Sequence, residues 1–79
     1  MSDVAMERIR RGDLVRHLYK GSIFLSSNPK FHDARVEWVE AVPALVIDDP
    51  RDDGRWNLCS VFVDGKIGLV DAREITKIT

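Results

Sequence analysis

The chain has 79 residues, 44% hydrophobic and 32% charged, with a formal net charge of −1. That length allows one domain with a single modest core, worth about 3–5 kcal/mol, and the composition is that of a folded chain rather than a disordered one. It excludes an intramolecular disulfide, because Cys59 is the only cysteine, and it lacks the basic excess usual in domains built mainly to grip nucleic acid.

Ser2 or Asp3 can cap a short helix over Val4 to Arg10, too short to hold without packing. Residues 1–11 are therefore expected to be an N-terminal helix or flexible tail, and 12–79 the folded domain. Gly12-Asp13 opens a strand over Leu14 to Tyr19, which has no clean polar face. Residues 20–35 are rich in turn chemistry (Gly21, Ser26-Ser27-Asn28-Pro29, His32-Asp33) yet hold Ile23, Phe24, Leu25 and Phe31. Such a loop is expected to fold back onto the body, with a short strand over Ser22 to Leu25. A further extended piece is expected over Val36 to Val39. Pro43 suits the start of a compact strand, Ala44 to Ile47, and residues 48–55 read as a polar turn.

Trp56 to Val63 is the next strand. Asp64-Gly65 is the preferred dipeptide of a type I′ hairpin turn, whose two central residues need positive φ. A two-residue turn pairs Val63 with Lys66, Phe62 with Ile67, Val61 with Gly68 and Cys59 with Val70. One face then carries Cys59, Val61, Val63 and Val70. The other carries Leu58, Phe62, Ile67 and Leu69. Both faces are apolar, so either the hairpin is central in a barrel or its second face is covered, with the 20–35 excursion as the internal candidate and a partner chain as the other. Asp71 to Glu74 reads as one helical turn, and Ile75 to Ile78 as a closing strand.

Gly12-Asp13-Leu14-Val15-Arg16 resembles the opening of small SH3-like barrels. Pro43 to Ile47 resembles their second core strand, Val61 to Val70 their distal hairpin, and Ala72 to Ile78 their short 3₁₀ turn and last strand. The pattern is similar to small proteins of unknown function encoded by tailed bacteriophages, cyanophages included. The resemblance covers residues 12–19 and 43–79. It implies an all-β, SH3-like barrel of about five antiparallel strands, and it leaves residues 20–42 as the departure from the pattern. Barrels of this kind bind peptides, nucleic acids or other subunits, and fold does not fix function.

No constellation specifies catalysis. Ser26 lacks the surroundings of a nucleophile elbow. His17, His32 and Cys59 lack zinc-ligand spacing, and Asp48, Asp49, Asp52 and Asp53 lack the pattern of a calcium loop. Neither cofactor, metal nor small-molecule substrate is expected. Cys59 reads as a small buried hydrophobe.

Two surface signals remain. Trp38, Trp56, Phe62 and Ile67 are the candidate protein interface, because Trp is enriched in interface hot spots. Arg8, Arg10, Arg11, Arg16 and Lys20, with Tyr19 nearby, are candidate nucleic-acid contacts through phosphates and a stacked base. The expected function is a non-enzymatic protein-interaction or structural module, with a protein partner or self-association. The alternative is a nucleic-acid-binding barrel. No run approaches the ~18 apolar residues of a membrane span, and the N-terminus has no signal-peptide stretch. The expected location is cytoplasmic, in the host cytoplasm or a virion if the chain is phage-encoded.

Overall fold

Asp64 and Gly65 both take positive φ, 51° and 78°, the conformation a two-residue hairpin needs to match the strand twist. The turn joins strands Asn57–Val63 and Lys66–Asp71 in the expected register, with Phe62 opposite Ile67 and Cys59 opposite Val70. This hairpin is the centre of the fold in a computed structural model that describes residues 8–28, 30, 35–52 and 54–78.

In chain order the strands are β1 (Leu14–His17), β2 (Ile23–Ser27), β3 (Arg35–Trp38), β4 (Ala44–Val46), β5 (Arg51–Asp52), β6 (Asn57–Val63), β7 (Lys66–Asp71) and β8 (Ile75–Lys77), with a 3₁₀ turn at Ala72–Glu74. The described residues form one antiparallel sheet in the order β3-β2-β7-β6-β4-β1-β8, with β5 on the first half of β6. The protein is all-β, as expected. The sheet has eight strands rather than five, and it is open, with β3 and β8 at its edges. The additional strands come from residues 20–42 and from the 48–55 turn. Arg8 to Arg10 are not helical, and the rest of the expected N-terminal helix lies outside the described residues.

Alternation decides what is inside. Val15 and His17, Leu25, Val36 and Trp38, Ala44 and Val46, Cys59, Val61 and Val63, Val70 and Ile75 all face one side and are buried. Ile9 joins them from the N-terminal segment. The Trp38 indole N–H donates to the Val42 carbonyl at 2.7 Å, which satisfies its one polar atom in the core.

Of the described residues of the 20–35 excursion, Asn28 reaches over the outer face of the hairpin, donating from its side chain to the Ser60 hydroxyl, but β2 does not lie across it. β2 instead extends the sheet in plane, pairing Ser26 with Leu69 and Ser27 with Gly68. An extended segment with free backbone groups gains more hydrogen bonds beside a strand than over a side-chain face. Gly68 makes the close approach possible. A Cβ there would sit 2.9 Å from Leu25 Cβ and 3.3 Å from the Ser26 carbonyl oxygen. Gly68→Ala is therefore expected to destabilise the domain by about 1–3 kcal/mol through overpacking. In urea melts this appears as a lowered midpoint with an unchanged slope.

Candidate functional site

The outer face of the sheet carries the most distinctive surface. Directly opposite residues of antiparallel strands share a face, with Cβ atoms about 4.5–5.5 Å apart. The registers set Leu14 opposite Leu45, Leu45 opposite Phe62 and Phe62 opposite Ile67. The β1–β8 register, continued by one residue, sets Ile78 opposite Leu14, and Ile78 donates its N–H to the Leu14 carbonyl at 3.0 Å. The result is one apolar row across five strands, Ile78–Leu14–Leu45–Phe62–Ile67. The first four are 45, 44, 38 and 44% exposed, and Ile67 is half-buried. Four strand spacings make the row about 19 Å long. Ile47 and Leu69, both half-buried, widen it on one side, and the exposed Pro43 and Arg16 border it on the other.

The expected interface residues fall in three places. Phe62 and Ile67 are paired at one end of this row. Trp38 is fully buried and is corrected from interface to core. Its neighbours on β3 alternate with it, so β3 turns it inward onto His17, ring against ring at 5.0 Å. Trp56 is exposed, but it precedes β6 at the end away from Phe62. Six residues of extended chain separate the two by about 20 Å, so they do not form one patch.

A second feature is a cleft of about 890 Å³ between the N-terminal segment and β8, lined among others by Arg8, Arg10, Leu18, Asp49, Arg73 and Thr76. It gathers two of the five expected basic contacts. Arg16 faces outward beside it, opposite Thr76. Arg11 is exposed, and its backbone N–H donates to Asp49 Oδ1 at 2.7 Å. Lys20 stands in the bend after β1. Arg73, which the sequence reading passed over, adds a third guanidinium to the wall. It is held by Asp71 through Nε at 3.0 Å and Nη2 at 2.8 Å. Tyr19 is half exposed. The carboxylate of Glu74 beside it raises its phenol above the ordinary value, with partial desolvation adding to the effect.

The groups suited to covalent chemistry are engaged or set apart. Ser26 faces outward and His17 inward, on opposite sides of the sheet, while His32 and Asp33 lie outside the described residues. His17 Nδ1 accepts the Tyr19 N–H at 3.3 Å, and its buried Nε2 has no partner among the described residues. The Ser60 hydroxyl accepts from the buried Asn28 side chain. Cys59 is buried, and burial, helped by the Asp71 carboxylate, pushes its thiol from 9.0 up to about 12. An aromatic disulfide reagent at pH 8 is thus expected to modify Cys59 only as fast as the domain opens. The raised thiol also makes the fold lose stability as pH climbs from 9 towards 12, because the unfolded chain ionises first. Among the described residues no three His, Cys, Asp or Glu side chains are grouped to hold a metal ion, and no helix is long and apolar enough to cross a membrane. No family model, curated protein or solved structure matches the chain.

Proposed function

We propose that this protein is a non-enzymatic interaction module that docks an apolar surface of a partner protein on the outer face of its sheet. The observation that carries the reading is the row Ile78–Leu14–Leu45–Phe62–Ile67. Apolar residues scattered singly on a surface are ordinary. Five of them directly opposed across five strands form a contiguous patch, and contiguous patches mark interaction sites. Leu45 is its centre and Phe62, beside it, its aromatic anchor.

Five strands support the finer reading as an SH3-like barrel. β1, β4, β6, β7 and β8 are the segments that resemble the barrel's opening, second core strand, distal hairpin and last strand. They are also consecutive neighbours in the sheet. β2 and β3 then form a hairpin inserted after the opening strand. A small accessory or virion-associated protein of a tailed bacteriophage fits this reading.

The test is capture from lysate with wild type, Leu45→Asp and Phe62→Asp, judged by loss of one discrete partner band. Both side chains are exposed, so both variants are expected to fold. Each is expected to weaken capture at least about tenfold, as loss of a central anchor does. Retained capture by both variants overturns the reading.

One observation favours a second reading, nucleic-acid binding: Arg8 and Arg10 line a single cleft with Arg73, with Arg16 alongside. Asp49 in the wall and the Asp71 partner of Arg73 offset part of that charge. Binding to single-stranded or duplex DNA that falls steeply with salt and is lost in Arg8→Gln/Arg10→Gln would establish it. Absence of a mobility shift at low salt would remove it.

A further inference from the structure

β3 is an edge strand, hydrogen-bonded to β2 on one side. Its core-facing residues, Val36 and Trp38, are fully buried, and its outward residues, Arg35 and Glu37, are exposed. Among the described residues Glu37 takes no ion-pair partner, and the Arg35 guanidinium rests 5.0 Å from the centre of the Phe24 ring. The outer N–H and C=O groups of an edge strand are a template for another strand, and those of β3 have no ladder partner among the described residues.

A strand can join only in a register that keeps core-facing residues opposite core-facing residues, since a one-residue slip reverses the faces. For a second β3 related by a two-fold axis, three registers keep these charges in the ladder. Centring on Arg35 sets Arg35 against its own copy. Centring on Glu37 sets Glu37 against its own copy. Centring on Val36 sets Arg35 against Glu37 twice over. Like charges directly opposite destabilise a pair of strands, and opposite charges stabilise it. We propose that β3 is a self-pairing edge, at which a second copy of this chain adds antiparallel, centred on Val36, to make one continuous sheet. The surface is separate from the apolar row, so neither proposal depends on the other.

Sedimentation equilibrium across micromolar to millimolar protein tests it. Wild type is expected to dimerise reversibly. Glu37→Arg and Arg35→Glu are each expected to weaken the dimer about tenfold or more, since each replaces two attractive cross-strand pairs with two repulsive ones. The double variant Arg35→Glu/Glu37→Arg is expected to restore it, and Phe62→Asp to leave it unchanged. A wild type that stays monomeric, a double variant that fails to recover, or a dimer dissolved by Phe62→Asp instead would each overturn the proposal. Should a single variant unfold by circular dichroism, amide exchange in wild-type β3 decides. Protection that rises with concentration supports the pairing, and exchange independent of concentration refutes it.

Discussion

Trp38→Ala is expected to cost about 3–5 kcal/mol, as much as the core of a domain this small supplies. The variant should be largely unfolded at 25 °C by circular dichroism and amide exchange. The size of the effect follows from position. Trp38 is the largest fully buried side chain. It packs edge-on against His17 of β1, so it ties the β2–β3 hairpin to the far side of the sheet. Its indole N–H also holds the β3–β4 connection through the Val42 carbonyl. Trp38→Phe separates the two contributions. It keeps most of the volume and leaves the Val42 carbonyl without this donor, and it is expected to cost about 1–3 kcal/mol. A Trp38→Ala protein as stable as wild type would mean that β2–β3 packs independently of the sheet body.

Asp71→Ala is expected to cost about 2 kcal/mol. Asp71 is buried at the end of β7 and caps the 3₁₀ turn. Its carboxylate accepts from the Arg73 backbone N–H at 2.9 Å, from the Arg73 guanidinium, and at 3.5 Å from the Asn57 N–H. The variant leaves those donors without their acceptor where the chain turns from β7 into β8. The same contacts set a pH dependence. The guanidinium hydrogen bond of Arg73, with the backbone N–H groups, lowers the carboxyl from 3.8 to about 2 against the opposing effect of burial. A carboxyl depressed on folding stabilises the protein above its unfolded pKa. That contribution is therefore complete above pH 4 and is lost as pH falls through 2. It is worth about 1 kcal/mol once solvent around the exposed Arg73 is allowed for. Urea midpoints measured at pH 5 and pH 2.5 should fall more for wild type than for Asp71→Asn. Equal falls would show that Asp71 titrates as an unperturbed carboxyl.

The local pairings were legible in the residues, and the distant ones were not. Asp64-Gly65 specifies its own turn, and the turn specifies every pair of β6 and β7 by counting. The burial of Cys59, Val61, Val63 and Val70 follows from the same alternation. No comparable signal sets β1 against β4 or β4 against β6, because those registers join residues some thirty and seventeen positions apart and depend on loop geometry. Leu14, Leu45 and Ile78 each read as ordinary strand residues. They become a surface only when the registers line them up with Phe62 and Ile67. The same limit explains the misplacement of Trp38. Tryptophan is common both in interfaces and in cores, and the face it takes was fixed by β2 joining the sheet edge. The strand-like residues 23–25 were visible, but their sequence does not say whether they lie beside β7 or across it. Gly68 was the available clue, a side-chain-free position in an otherwise apolar strand where another backbone can approach closely.

The outer row is tested most directly by site-specific photo-crosslinking in lysate, with a benzophenone side chain placed in turn at positions 45, 62 and 39. Leu45 and Phe62 neighbour each other in the row, whereas Val39 is an equally exposed apolar residue elsewhere. The same discrete adduct at 45 and 62, absent at 39, is the expected result. No adduct at 45 and 62, or an identical pattern at all three positions, would contradict the assignment of this face as the docking surface.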